Sequence, residues 1–326
     1  MIKVEHMVHA RGLAKRFPSR QGPVDAVRSV DIDVAPGEIV GFLGPNGAGK
    51  TTTLRMLTTL LTPSAGAATV AGHDLRTEPV QVRSRIGYVP QRGSTTPLAL
   101  VGEELVDHGR LHGLARDEAA RRGRLLIDQL DLTETWERPT GSLSGGQRRR
   151  LDVALGLINQ PPLLFMDEPT TGLDPQSRAN LWQHIRGLRD DRGVTVFLTT
   201  HYLDEADSLC DRILVIDHGE IVARGTPAEL KRAVSGDLVA LQLSDPDRLD
   251  AARVVLQRVP SLTILRAEGD LVDFNVPDAS AALPGLLAGL AGAHAGLAGI
   301  EVRRPTLDDV FLSLTGHELR DQQVAA

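Results

Sequence analysis

One stretch, Gly44-Pro-Asn-Gly-Ala-Gly-Lys-Thr51, limits what this chain can be more than any other. Its spacing, G-x-x-x-x-G-K-[S/T], falls between a short apolar run, Ile39–Leu43, and residues 50–61, where Leu54, Leu57, Leu60 and Leu61 share one helical face. A strand, a glycine-rich turn and a helix in that order point backbone N–H groups and a helix N-terminus at one anion. Gly44, Pro45, Asn46, Gly47, Ala48 and Gly49 make the cradle, and Thr52 follows it into the helix. Lys50 is set to reach the β- and γ-phosphates of a nucleotide as a point charge, and the Thr51 hydroxyl to ligate Mg²⁺. Lysine is scarce: of 36 basic residues only Lys3, Lys15, Lys50 and Lys231 are not arginine, so composition alone rarely produces the pattern.

A phosphate loop of this kind needs a carboxylate for its metal. Leu163-Leu-Phe-Met-Asp167-Glu168 supplies one where a buried strand ends. Asp167 would hold Mg²⁺ through water, and Glu168, one residue further, would orient and polarise the attacking water. Leu143-Ser144-Gly145-Gly146-Gln147 precedes a helix with the apolar face Leu151, Ala154, Leu155 and Ile158. Ser144 reads as its N-cap, and the two glycines allow close backbone approach. Two anion-directed helix starts on one domain make sense if the second serves a nucleotide held by another copy.

The rest of the pattern alternates strands and helices. Residues 26–34 and Ile39–Leu43 read as strands, and residues 103–158 as mostly helical with a loop at 136–146. Residues 163–166 and 194–199 are continuous apolar runs flanking an amphipathic stretch at 177–188, which suits a parallel sheet covered on both faces. Strands at 213–216 and 221–223 close a first domain, 1–229, with a helical subdomain at about 92–158. Residues 230–326 form a second domain: a strand at 238–243, a helix at 246–259, strands at 262–266 and 271–276, a helix at 279–295 and a strand at 300–304. That order, β-α-β-β-α-β, is the split ferredoxin-like pattern, with an amphipathic helix at 307–314 after it.

Composition excludes several classes. Apolar residues at 41% and charged residues at 24% fit a globular chain of 326 residues, and exclude collagen-like or disordered ones. A net charge of −6 does not suggest a nucleic-acid binder. A single Cys and the lack of a leader-like N-terminus point to a reducing cytoplasm, with Cys210 as small core packing. Residues 279–300 carry no formal charge, but Pro284, His294 and five glycines interrupt them, so a half-buried helix is expected rather than a membrane span. Arg148, Arg149 and Arg150 read as a solvated helix face.

These motifs, in this order, resemble the ATP-binding cassette (ABC) ATPases over the first 229 or so residues. The resemblance implies an α/β fold: a P-loop NTPase domain with a mostly parallel core sheet and a helical subdomain, then a smaller α+β domain. It implies ATP and Mg²⁺ as cofactors, hydrolysis of ATP to ADP and phosphate, and a head-to-tail dimer of two copies that sandwiches ATP. In that dimer Ser144, Gly145, Gly146 and Gln147 of one copy cap the ATP held by the other. Gln91, in Tyr88-Val-Pro-Gln91, matches the glutamine that lies near Mg²⁺ and water and senses the transmembrane partner. Asp174, in Gly172-Leu-Asp174, matches a residue at the dimer seam, His201 the histidine that contacts the γ-phosphate, and Phe17 the ring stacked on adenine. Lys50, Glu168 and His201 are thus the expected catalytic residues, and Thr51, Gln91 and Asp167 the expected metal ligands.

The stretch between Gly44 and Ser144 has no sustained heptads, unlike chromosome-maintenance relatives, and there is one cassette, unlike translation-factor relatives. A transporter subunit at the cytoplasmic face of the membrane, with the spans on a separate permease, is therefore expected. The tail Pro305-Thr-Leu-Asp-Asp-Val-Phe-Leu-Ser-Leu-Thr-Gly316, the run 148–150 and Asp204-Glu-Ala-Asp207 are similar to the daunorubicin/doxorubicin-resistance type of exporter ATPase. That implies efflux of a hydrophobic drug or antibiotic. The alternatives are an exporter ATPase for a lipid or polysaccharide, or a soluble cassette that transports nothing.

Overall fold

A computed structural model describes residues 5–315 except Gln21, Ser94, Ser235 and Arg304; Lys3, Arg304 and Gly316 lie outside the described residues. The described residues divide into two compact units, one up to Arg224 and one from Gly225 on.

In the first unit the chain runs β1 (Val8–Phe17), β2 (Val24–Val34), β3 (Ile39–Leu43), α1 (Lys50–Leu57), β4 (Ala65–Val70), β5 (His73–Asp74), α2 (Pro79–Arg85) and β6 (Ile86–Val89). It continues through α3 (Val101–Leu111), α4 (Arg116–Gln129), α5 (Gly145–Leu157), β7 (Leu163–Asp167), α6 (Pro175–Arg192), β8 (Thr195–Thr200), α7 (Leu203–Leu209), β9 (Arg212–Asp217) and β10 (Glu220–Gly225). The strands form one sheet in the order β5-β4-β1-β2-β10-β9-β3-β8-β7-β6. Its β9-β3-β8-β7-β6 part is parallel, with Leu43 beside Thr200 and Asp167 beside Thr199. Every residue of β3, β7 and β8 is buried, the expected signature of strands covered on both faces. The β1, β2, β4 and β5 part is antiparallel, paired with bulges.

All four parallel strands nearest the centre end at the same edge, so their C-terminal turns converge there. The helix after the glycine turn is shorter than its apolar pattern suggests. It stops at Leu57 because the Thr58 hydroxyl donates back to the Leu54 carbonyl, 2.9 Å, and Thr59 takes a left-handed φ of 62°. Between β6 and β7, α3, α4 and α5 make the expected helical region, anchored by buried Leu105, Leu126 and Leu151.

The second unit runs α8 (Pro227–Val234), β11 (Asp237–Leu243), α9 (Leu249–Leu256), β12 (Thr263–Glu268), β13 (Leu271–Val276), α10 (Ala279–Gly292), β14 (Leu297–Arg303) and α11 (Leu307–Thr315). Its antiparallel sheet, β12-β13-β11-β14, has the order of a ferredoxin-like fold. Val239, Leu241, Val272 and Phe274 face α9 and α10, which contribute Ala252, Leu256, Leu286 and Leu290. α10 has 14 residues, and no described helix is long and apolar enough to cross a membrane. Leu307, Val310 and Phe311, the apolar stripe of the last helix, are buried.

Candidate nucleotide site

The site is assembled where β3, β7 and β8 end. The turn after β3 enters α1 through Gly49, whose φ is 105° and whose missing side chain leaves room for the Ala26 carbonyl, 2.6 Å from where a Cβ would sit. Ala26, Pro45, Asn46, Gly47, Gly49, Lys50, Thr51, Thr52, Gln91 and Glu168 enclose a cavity of about 210 Å³. Gly44 is pinned below it, its N–H donating to the Thr200 carbonyl at 3.2 Å.

Lys50 is only 5% exposed. Its ammonium donates to the carbonyls of Gly44, 2.8 Å, and Pro45, 3.0 Å, and lies 3.3 Å from Glu168 Oε1. Burial lowers the Lys50 pKa, and the Glu168 carboxylate opposes that fall. The position thus holds a desolvated cation whose paired carboxylate can give way to a phosphate.

Asp167 ends β7 and accepts from the Thr51 hydroxyl at 3.0 Å and from the Thr199 hydroxyl at 2.7 Å, both on Oδ1. Glu168, next along, turns off the strand with a φ of 45°, and its N–H is held by the Thr199 hydroxyl at 3.0 Å. The turn aims its carboxylate at the cavity. Gln91 Nε2 donates to Glu168 Oε2 at 2.7 Å, and the Thr171 hydroxyl donates to the same oxygen at 3.2 Å. Nδ1 of His201 lies 3.3 Å from Oε1, but without hydrogen-bond alignment, and has no other partner among the described residues. Burial raises the Glu168 pKa, yet His201 and Lys50 together outweigh it and hold it at about 2. Glu168 is therefore an ionised, fully surrounded carboxylate, fit to accept a hydrogen bond from water.

Ser144 and Gln147 cap α5 reciprocally: the Gln147 N–H donates to the Ser144 hydroxyl, 3.2 Å, and the Ser144 N–H to Gln147 Oε1, 3.0 Å. Neither they nor Gly145 and Gly146 line the cavity of their own chain. They lie instead against the turn into α6, where a Cβ on Gly146 would meet Ser177 Oγ at 2.8 Å. Asp174 caps α6 by accepting from the Ser177 N–H, 2.9 Å, and hydroxyl, 2.6 Å. Ser144 and Asp174 thus share one surface, separate from the cavity. Phe17 ends β1 half-exposed, with Lys15 Nζ 5.2 Å from its ring centroid, and also stands outside the cavity wall.

The run 148–150 is not a uniform solvated face. Arg148 is exposed and Arg150 donates to Asn180 Oδ1 at 2.9 Å, but Arg149 is buried and turns inward. Charge pattern could not separate the three, because α5 places only one of them toward β7. Cys210 is buried, which raises its thiol pKa well above the usual value, and it packs as a small core residue against Gly41. Glu205, wholly buried, is likewise raised by burial and accepts from Trp182 Nε1 at 3.0 Å.

Comparison with known proteins agrees with this geometry. Residues 27–171 match the ABC transporter family model, and residues 225–315 match the model of the DrrA1-3-like ATP-binding protein C-terminal domain. The chain is 43% identical to the daunorubicin resistance ATP-binding protein DrrA3 of Streptomyces coeruleorubidus, over 94% of this chain and 96% of that one. It is 42% identical to the Nod factor export ATP-binding protein I of Cupriavidus metallidurans, over 90% and 94%. Among solved structures, the dimeric post-hydrolysis state of the cassette MJ0796 bound to ADP and Pi superposes with a TM-score of 0.63 at 26% identity, covering 68% of this chain and 98% of that one. A nucleotide-binding fold, both family models and near full-length identity converge: the chain belongs to the ABC transporter ATP-binding proteins of the daunorubicin/doxorubicin-resistance type, and is an ATPase.

Proposed function

We propose that this chain hydrolyses ATP in order to drive efflux of a hydrophobic, antibiotic-like compound through a separate membrane permease, from the cytoplasmic face of the membrane. The observation that carries the reading is the pairing of the ATPase unit with a C-terminal domain of the DrrA1-3-like type in one chain. Residues 1–229 form the ATP-binding domain in this reading, and residues 230–326 an accessory domain. The Nod factor relative, at almost the same identity, favours a second reading in which the cargo is a lipid-linked carbohydrate.

The chemistry follows from charge. Backbone donors of residues 44–51 and the Lys50 ammonium meet the negative charge that grows on the γ-phosphoryl oxygens. Thr51, Asp167 and Gln91 offer the hard oxygen donors that Mg²⁺ prefers, already gathered by the Thr51 to Asp167 hydrogen bond. When bound, that ion would neutralise charge between the β- and γ-phosphates. Glu168, held ionised, orients the attacking water and takes its proton, while His201, beside its Oε1, contacts the γ-phosphate. Ser144, Gly145, Gly146, Gln147 and Asp174, standing together away from the cavity, serve the ATP of a second copy in a head-to-tail dimer. Phe17 stacks on the adenine.

The test is expression with and without a multi-span permease of the exporter type, taken from the neighbouring reading frame if that frame encodes one. The chain should move to the membrane fraction only when that protein is present, and cells should then accumulate less daunorubicin fluorescence, an effect lost in Lys50→Ala. Unchanged daunorubicin accumulation contradicts the drug reading. A chain that stays in the soluble fraction contradicts the transporter reading itself.

A further inference from the structure

Lys50 and Arg149 are the two buried cations among the described residues. Lys50 has a phosphate to meet. Arg149, only 7% exposed, meets backbone carbonyls instead: Nε donates to Pro169 at 2.7 Å, Nη1 to Pro90 at 2.5 Å, and Nη2 to Asp167 at 3.0 Å and to Glu168 at 3.4 Å. These acceptors are not one loop. Pro90 directly precedes Gln91, Asp167 and Glu168 are the carboxylate pair, and Pro169 begins the turn that leads to Asp174. Arg149 itself belongs to α5, which Ser144 caps.

A guanidinium suits this place because it is a planar fork with five donors, able to satisfy carbonyls in several directions at once. Its charge is balanced on its own helix by Asp152 Oδ2, 3.6 Å from Nη1. Asp152 in turn covers Gly93: a Cβ there would lie 3.1 Å from both carboxylate oxygens. The helix that starts at Ser144 is thereby fastened to the segment carrying Gln91 by the bond to Pro90 and the Asp152 contact at Gly93, and to the strand end carrying Glu168 by the bonds to Asp167, Glu168 and Pro169.

Gln91 and a water compete for the same carboxylate, since the Gln91 amide already occupies Glu168 Oε2. Pro90 adjoins Gln91 and its carbonyl is held by Arg149, so a displacement of Gln91 would bear on Arg149. We propose that Arg149 is a positioning residue that ties the nucleotide site of its own chain to the Ser144 surface serving the other copy, so that the two sites of the dimer hydrolyse cooperatively. This rests on the head-to-tail dimer proposed above.

The full chain, Arg149→Lys and Arg149→Gln are compared by ATPase rate against ATP concentration, by fluorescent ATP analogue binding and by thermal melting. Cooperative hydrolysis should give the parent chain a Hill coefficient clearly above one. Arg149→Lys, which keeps the charge but not the fork, should bring it to one and lower kcat about tenfold, with analogue affinity within about twofold of the parent. Three results overturn the proposal: a parent chain without cooperativity, an Arg149→Lys variant with unchanged Hill coefficient and rate, or loss of fold or of ATP binding in both variants, which marks Arg149 as a packing residue. The dimer is checked separately, in Glu168→Gln with Arg149 intact. If ATP yields no dimer there, it is the underlying reading that fails, not the assignment of Arg149.

Discussion

Glu168 shows how much of the site depends on single positions. A non-glycine residue at positive φ is uncommon, and here it turns the carboxylate off β7 while Lys50, Gln91, Thr171 and His201 gather round it. Motif spacing made Lys50, Thr51, Asp167 and Glu168 legible because each chemistry needs that residue type at a fixed distance from a strand end. Arg149 was not legible, since three consecutive arginines look alike until tertiary packing buries one. Glu205 poses the same problem for carboxylates. Burial raises its pKa, favouring the neutral form, and Thr170, Thr200 and Trp182 surround it. Glu205→Gln, neutral at every pH, should therefore match the parent's thermal midpoint at pH 4 and exceed it at pH 8, whereas Glu205→Ala should cost about 1–3 kcal/mol by orphaning the Trp182 N–H. The sign with pH is set by the raised pKa: between the unfolded and the folded pKa, the folded chain holds a proton that the unfolded one has released. The Glu205 contribution is then full below the ordinary glutamate range and declines as pH rises above it. Melting curves of the parent and Glu205→Gln from pH 4 to 8 check this; the variant should show the flatter profile.

At the level of elements, periodicity located the buried strands best. Ile39–Leu43 is legible to the residue, and the runs near 163 and 194 to within one. Uninterrupted burial leaves no competing pattern there. β1, β4 and β5 were missed because an antiparallel edge of bulged strands alternates irregularly, and β6 because its four residues follow directly on α2. The β-α-β-β-α-β order of the second unit was legible from turns such as Glu268-Gly-Asp270, though its helices are shorter than their apolar runs. What periodicity could not reveal is how closely elements approach. A Cβ on Gly87 of β6 would lie 2.0 Å from the Gly156 carbonyl of α5, backbone that cannot step aside. Gly87→Ala should separate α5 from β6, lowering stability by about 1–3 kcal/mol. It should also loosen the Arg149 bond to Pro90. Chemical denaturation checks the first effect, and a reduced ATPase rate in the still folded variant the second.

For the whole molecule, the decisive arrangement is that one chain carries a phosphate cavity and, apart from it, a Ser144 and Asp174 surface with nothing of its own to cap. Two copies related head to tail would complete both sites, and ATP would lie in the seam. In that assembly binding is the closing force and hydrolysis the release, so blocking the chemistry without removing a binding group should trap the closed form. Glu168→Gln does so: it keeps the size of the side chain and one acceptor oxygen, but exchanges the other for an amide donor, loses the negative charge and cannot take a proton. The most direct test is to measure ATP turnover and molecular mass of this variant together in saturating ATP and Mg²⁺. The account predicts a rate at least about 100-fold below the parent chain and a doubling of mass that reverses when ATP is removed. Turnover at the parent rate, or a monomer at every ATP concentration, would contradict it.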